Sequence, residues 1–333
     1  MRLLAFSGRK SVAIPSQLMR GLALPVIGAP LFIISNPDLV IAQCKAGVIG
    51  AMPSLNARGA PGSGEHLEDW LAKITAALAD HDAANPDHPA ARYAINLIIH
   101  KSNTRLQDDL AVCARFKVPL IITSLGANEA VNEAVHGWGG LVFHDVINQR
   151  FAHKAVEKGA DGLILVAAGA GGHAGAQSPF ALMSETRAWY DGPIALGGAI
   201  STGPGILAAQ AMGADFAYIG SPFIATEEAR ALPAQKQAIV DGTAADIVYS
   251  SFFTGVPGNY LRASITAQGF DPDHLPSGTP DKMDFGAASQ AKAWRDIWGA
   301  GQGIGSVHEI APAAALIGRL GHELEAARQA LCV

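Results

Sequence analysis

Eight short apolar runs, each followed by a stretch with helical spacing, constrain this chain more than any other feature. The runs lie at residues 25–29, 48–51, 93–97, 120–123, 140–143, 162–166, 193–196 and 216–219. Each is short and continuously apolar, as expected of a strand covered on both faces in a parallel sheet. Strict βα alternation predicts a parallel α/β fold, and eight units favour a closed (β/α)8 TIM barrel over an open doubly wound sheet. Helical spacing fills the gaps at 67–78, 103–116, 128–135, 148–158, 179–189 and 202–212. A further helix opens at Asn36-Pro37-Asp38, with Asn36 as N-cap, and stops at Gly47. The phrase Gly-Ala-Asp recurs at 159–161 and 213–215, each time directly before a strand. Its glycine supplies the left-handed residue that ends a helix.

After residue 219 the rhythm breaks. Residues 231–311 carry helical patches at 234–240 and 287–298 and an acidic, proline-rich loop at 270–276. They read as a cap over one end of the barrel, inserted after strand eight. Residues 311–332 read as one amphipathic helix that returns to the barrel wall. The expected division is a barrel of residues 1–230 and 312–333 and a cap of 231–311. The Gly/Pro/Ser-rich segment 53–64 reads as a mobile loop near the mouth.

With 49% hydrophobic and 16% charged residues the chain can bury a large core. A net charge of −5 gives no electrostatic footprint for nucleic acid or an anionic membrane. Cys44, Cys113 and Cys332 are widely spaced and read as reduced thiols, neither a disulfide framework nor a zinc site. No apolar run is long enough to span a bilayer, and the N-terminus lacks a signal-peptide pattern. A soluble cytoplasmic protein is expected. HExxH, P-loop, EF-hand and GxSxG patterns are missing, and Asp271, Asp273, Asp281 and Asp284 read as a solvated loop, so no metal is expected.

Barrel sites lie at the C-terminal ends of strands, and the loops after strands seven and eight often hold phosphate. Here those loops are Gly197-Gly198-Ala199 and Gly220-Ser221. Glycine lets backbone N–H groups close on an anion, and Ser221 adds a hydroxyl. The loop after strand six contains Gly169, Gly171, Gly172 and Gly175 around one imidazole, His173. Such a loop lets a flat ligand lie against backbone, with His173 as the candidate proton-transfer group. Its Gly169-x-Gly171-x-x-Ala174 pattern mimics a dinucleotide fingerprint, but it sits in the sixth unit and the next strand ends without an acidic residue. Asn96 interrupts an apolar strand; a flavin edge or an internal hydrogen bond would each satisfy its amide. His144 and Asp145 either orient a ligand or pair with each other, with the structural role favoured.

With these residues in view, the chain resembles the nitronate monooxygenase (2-nitropropane dioxygenase) family. The matching phrases run in family order: Pro25-Val-Ile-Gly-Ala-Pro-Leu, Lys45-Ala-Gly-Val-Ile-Gly, Gly171-Gly-His-Ala-Gly, Ala195-Leu-Gly-Gly-Ala-Ile, Gly213-Ala-Asp-Phe-Ala-Tyr-Ile-Gly-Ser-Pro-Phe and Trp298-Gly-Ala-Gly-Gln-Gly-Ile-Gly. The resemblance implies FMN on a TIM barrel. Ala29, Pro30 and Leu31 would line the flavin, Asn96 would contact its ring or ribityl chain, and Val166 and Gly171 would lie beside it. Gly198, Gly220 and Ser221 would cradle the phosphate, His173 would be the active-site histidine, and Gln302 would face the flavin from the cap. Three positions depart from the family: Leu31 stands where methionine is usual, Gly169 where glutamate is usual, and Asp145 where a basic residue is usual. The implied reaction is oxidation of an alkyl nitronate by dioxygen to a carbonyl compound and nitrite. The rivals are an NAD(P)H-dependent enoyl-thioester or quinone reductase of the same superfamily, and a flavin-binding protein without turnover. The expected partners are a small-molecule substrate and dioxygen, with a homodimer left open.

Overall fold

The computed structural model describes residues 14–277 and 294–331. Eight parallel strands form the central sheet: β1 (Val26–Gly28), β2 (Gly50–Pro53), β3 (Tyr93–Ile98), β4 (Leu120–Ser124), β5 (Leu141–Val146), β6 (Gly162–Val166), β8 (Ile194–Gly197) and β9 (Phe216–Ile219). A two-residue strand, β7 (Gly172–His173), lies outside this sheet. The order around the sheet is β1-β9-β8-β6-β5-β4-β3-β2. Gly28 N–H donates to Ile49 O at 2.8 Å and Ile49 N–H to Val26 O at 3.0 Å, so β1 meets the lead-in to β2 and closes the ring. All eight expected strands are present; the second begins two residues later than its apolar run.

Side chains, not space, fill the barrel. Ile27, Ile49, Ala51, Ala94, Leu120, Ile122, Phe143, Ile164, Ala195 and Phe216 form its interior cluster. Phe143 and Phe216 meet edge to face with centroids 6.3 Å apart. A Cβ at Gly162 would lie 2.5 Å from the Phe143 ring, so the large side chain is accommodated by the missing one.

The helices follow from the same patterning. Asn36 Oδ1 accepts from Asp38 N–H at 2.8 Å and Leu39 N–H at 3.4 Å, capping helix Pro37–Lys45 as its sequence predicts. Gly47, Gly159 and Gly213 take φ of 87°, 87° and 109°. The closing helix Ala313–Leu331 packs against Pro37–Lys45 and Gly203–Met212. A Cβ at Gly203 would lie 2.1 Å from Leu324 N, which shows how closely this helix seats.

The repeated Gly-Ala-Asp phrase has a second purpose. Asp161 N–H donates to Val142 O and Asp215 N–H to Ile194 O, both at 2.8 Å. Each carboxylate then accepts from the N–H of that same strand residue, again at 2.8 Å. The aspartate therefore clamps the preceding strand at the N-terminal end of the barrel.

The segment after β9 contains helix Pro233–Asp241 near the expected patch at 234–240, and helix Arg262–Ala267. It also holds a hairpin absent from the sequence reading: β10 (Ile247–Ser250) and β11 (Gly258–Leu261). β11 pairs antiparallel with β7, aligning Gly258 with His173 and Asn259 with Gly172. Tyr260, Ile265 and Ile297 form a small core of their own under Phe253, Phe270 and Trp294. Most of the expected helical patch at 287–298, together with Asp281, Asp284 and Cys332, lies outside the described residues. Cys44 and Cys113 are buried free thiols; burial pushes Cys44 up to about 12 and Cys113 higher still. Among the described residues no helix is long and apolar enough to cross a membrane, and no cluster of His, Cys, Asp or Glu could hold a metal ion.

Candidate active site

A cavity of about 900 Å³ occupies the C-terminal mouth of the barrel, within the range of cofactor and substrate pockets. Ala29, Pro30, Leu31, Asn96, Val166, Gly171, Gly172, His173, Gly197, Gly198, Ala199, Gly220 and Ser221 all line it. Gln302 does not. Its neighbours Gly301 and Gly303 reach the cavity, while its own side chain is exposed and lies against Gly169.

The loops after β8 and β9 offer hydrogen-bond donors. The N–H groups of Gly198, Ala199, Gly220 and Ser221 find no acceptor within the described residues. Gly198 has φ of 147°, and a Cβ there would lie 2.8 Å from Ala168 O. A Cβ at Gly220 would touch Ala29 and Leu31 at 3.4 and 3.5 Å. Ser221 Oγ accepts from Gly301 N–H at 2.8 Å, which leaves its own proton to donate. Amides and a hydroxyl converging without a protein acceptor fit a phosphate group.

The glycines after β6 have a structural reason beyond ligand access. A Cβ on Gly171 would lie 2.8 Å from Gly301 N, one on Gly301 2.5 Å from Gly169 O, and one on Gly258 2.8 Å from Gly172 O. Three backbone segments thus pack without side chains between them. Gln302 N–H donates to Gly169 O at 2.9 Å and Asn259 Nδ2 to Ala170 O at 2.6 Å, fastening the loop to the segment after β9. Gly169 has φ of 86°, a conformation in which glutamate would be strained.

His173 is held by this clamp. Its Nε2 lies 3.1 Å from Thr254 Oγ1. Thr254 Oγ1 also lies 3.0 Å from Val256 O and 3.3 Å from the Tyr260 hydroxyl; with its one proton given to Val256 O, Nε2 of His173 carries the hydrogen and Nδ1 keeps its lone pair. Trp294 meets the imidazole edge to face, with centroids 5.1 Å apart. Burial pushes His173 down to about 4, so it is neutral near pH 7.

The inner wall of the mouth is polar. Asn96 Nδ2 donates to Ile122 O at 3.1 Å and to Ser124 Oγ at 2.7 Å. The internal hydrogen bond expected as one alternative is therefore present, and both amide protons are spent. Ser124 Oγ donates to Asp145 Oδ2 at 2.5 Å. Burial pushes Asp145 up to about 7, against the opposing effect of that hydrogen bond. Burial also holds Tyr218 well above its ordinary value. His144 and Asp145 do not pair, contrary to one expectation, because successive strand residues face opposite ways. His144 instead bonds Thr123 Oγ1, and burial pushes it down to about 4.

These shifts carry opposite signs in stability. His144 and His173 fall from 6.5 to about 4 on folding, so their contribution is complete above pH 6.5 and lost as pH falls toward 4. Asp145 rises from 3.8 to about 7, so its contribution is complete below pH 3.8 and lost as pH rises through 7. The two windows overlap between about pH 4 and 6.5, where the contributions oppose one another, so in chemical denaturation His144→Gln should make stability rise less with pH there and Asp145→Asn should make it rise more steeply.

Asn56 organises the loop after β1. Its Oδ1 accepts from Ile33 N–H at 2.7 Å, and its Nδ2 donates to Leu31 O at 3.0 Å and Ser35 O at 2.8 Å. Ile33 has φ of 59° and needs that support. Asn56→Ala is expected to cost about 2–3 kcal/mol of stability, read from the denaturation midpoint. A loss below about 0.5 kcal/mol would show that the loop holds itself.

Asn56, Ser124, Thr254, Asn259 and Trp294 are absent from the sequence-derived site. Each acquires its place through a partner distant in the sequence, so none had a local signal.

With this geometry in hand, comparison with known proteins is informative. The profile of the nitronate monooxygenase family matches residues 16–323. A nitronate monooxygenase of Paraburkholderia phytofirmans is 25% identical over 354 residues, covering 92% of this chain and 93% of that one. The Mycobacterium tuberculosis protein Rv1533, named as a monooxygenase, is 31% identical over 185 residues; the match spans 55% of this chain and about half (49%) of that relative. The structure of nitroalkane oxidase from Streptomyces ansochromogenes superposes with a TM-score of 0.78 at 22% identity, covering 95% of this chain and 100% of that one, and so shares the fold. The chain belongs to the nitronate monooxygenase family, whose members are flavin-dependent oxidoreductases.

Proposed function

We propose that this chain is an FMN-dependent nitronate monooxygenase that oxidises an alkyl nitronate with dioxygen, releasing a carbonyl compound and nitrite. The observation that carries the reading is the pairing of an amide cradle at Gly198, Ala199, Gly220 and Ser221 with a neutral imidazole, His173, on the same cavity. The cradle would hold the phosphate, and Ala29, Pro30, Leu31, Asn96, Val166 and Gly171 would border the ring. FMN would supply the electron transfer from substrate and to dioxygen. The protein's part is orientation, desolvation and proton control.

His173 suits an anion that arrives already deprotonated. An imidazole pushed down to about 4 is a weak base, poorly matched to removing a proton from carbon. With Nε2–H given to Thr254, His173 would neutralise an entering anion by taking a proton from solvent at Nδ1, a step the anion's own charge favours. Purified protein supplied with FMN should consume oxygen and release nitrite with alkyl nitronates, and respond far less to the neutral nitroalkanes. Oxygen uptake no greater than that of free FMN would overturn the assignment.

The size of the cavity, about 900 Å³, favours a second reading with a larger substrate, an NAD(P)H-dependent reductase. Rapid anaerobic bleaching of bound flavin by NADH or NADPH, with no nitronate oxidation, would select it.

The cradle makes its own prediction. Gly198→Val forces a side chain into φ of 147° and against Ala168 O. FMN binding is expected to weaken about 10- to 100-fold, measured by flavin fluorescence quenching. Unchanged affinity would remove the β8 loop from the phosphate site.

A further inference from the structure

Asn96, Ser124 and Asp145 lie on the neighbouring strands β3, β4 and β5, are joined by hydrogen bonds through Ser124, and all line the cavity. In the ring order, β4 and β3 lie four places round from β9 and β8, which carry the amide cradle, and β5 lies three and two places from them. A ligand anchored by phosphate at the cradle and reaching across the mouth therefore presents its far end to this wall.

The hydrogen bonds fix what the wall offers. Asn96 gives both amide protons to Ile122 O and Ser124 Oγ, so only its carbonyl Oδ1 remains, an acceptor. Ser124 has one proton and gives it to Asp145 Oδ2. A neutral Asp145 therefore carries its proton on Oδ1, as a donor. The wall thus presents an acceptor and a donor together, flanking Ser124. The pyrimidine end of a flavin has the matching pattern, one N–H between two carbonyls.

We propose that Asp145 in its neutral form donates a hydrogen bond to a carbonyl of the flavin imide edge, while Asn96 Oδ1 accepts from the imide N–H. This inference rests on the FMN reading above. It gives a role to the acid that stands where the family usually has a basic residue. An ionised Asp145 would set a carboxylate against a carbonyl oxygen, so affinity falls as Asp145 loses its proton.

The groups packed around Asp145 do not supply that dependence themselves. Tyr218 on β9 is held in its phenol form, and His144 and His173 are neutral above pH 6. Ser124 and Asn96 do not titrate, and Val166 on β6 is apolar. Lys154, on the helix after β5, sits at the cavity rim as the one ammonium among the described lining residues.

The test is FMN affinity by fluorescence quenching between about pH 6.5 and 8.5 for wild type, Asp145→Asn and Ser124→Ala. The wild type should bind on the order of tenfold more weakly at the upper end. Asp145→Asn, which keeps a donor and cannot ionise, should hold its affinity and lose that slope; any residual slope from the phosphate is common to both proteins. Ser124→Ala removes a bond that favours the ionised carboxylate, so its fall-off should move to higher pH. Equal slopes in wild type and Asp145→Asn would overturn this inference while leaving FMN binding intact. No FMN binding at any pH would overturn the cofactor reading and this inference together.

Discussion

Asp215→Ala is expected to lower the unfolding free energy by about 3–5 kcal/mol, the cost of leaving a buried charge without its partner. Arg187 Nη2 lies 2.6 Å from Asp215 Oδ2, and the two side chains are only 13% and 10% exposed. The guanidinium also donates to Gly213 O at 2.9 Å, Tyr190 O at 3.1 Å and Gly192 O at 2.6 Å. Alanine at 215 leaves that cation among carbonyls, with no anion, and strips Ile194 N–H of its acceptor. Asp161 offers an internal comparison. It makes the same strand clamp, but its side-chain partner is His136 Nε2 at 2.8 Å, and those side chains are 40% and 29% exposed for His136 and Asp161. Asp161→Ala should therefore cost less, about 1–2 kcal/mol. The difference between the two midpoints in urea measures the buried pair apart from the clamp. Equal losses would show that the clamp alone matters. Both sites lie at the N-terminal end of the barrel, where residues serve stability, so activity per folded molecule should remain that of the wild type.

The two aspartates also show what a single sequence can convey. Gly-Ala-Asp was legible as a helix stop because a left-handed glycine has a local signature, and φ of 87° and 109° bear it out at Gly159 and Gly213. The clamp was not legible, since its acceptor and donor lie on another strand. The eight strands were readable because burial on both faces makes each a continuous apolar run. β10 and β11 were not, because Ile247–Ser250 is only partly buried and β11 finds its partner in β7, 85 residues away at its closest register pair. Of the site, the glycines after β6, β8 and β9 could be found from composition and position. Their reasons differ: those after β8 and β9 free amides, while Gly171 and Gly301 let two backbones touch. For His144 and Asp145 the sequence left open a ligand role or mutual pairing, because adjacency along the chain does not tell which strand supplies a partner. The side-chain partners Asp145 has come from β4, through Ser124.

His173→Ala should reduce kcat/KM for an alkyl nitronate about 10²- to 10³-fold and leave FMN affinity within about threefold of wild type, because no hydrogen bond of the cradle involves it. The partition follows from the geometry. His173 is fixed by Thr254 and Trp294 from the segment after β9, whereas the amide donors belong to the β8 and β9 loops. Thr254→Val should act through His173 alone: losing one hydrogen bond of about 1 kcal/mol frees the imidazole to change tautomer, at a cost of roughly five- to tenfold. The pH dependence separates a proton-accepting role from simple space filling. A group pushed down to about 4 takes up a proton more readily as pH falls, so wild-type kcat/KM for nitronate at saturating FMN should rise from pH 8 toward pH 6. Holding FMN saturating removes the Asp145 effect on cofactor affinity. His173→Ala should lose the part of that rise carried by the imidazole, and His173→Gln, which fills similar space without basicity, should behave like alanine. If glutamine instead restores activity, His173 serves as packing between the segment after β9 and the mouth, and the proton must be handled by another group on the wall.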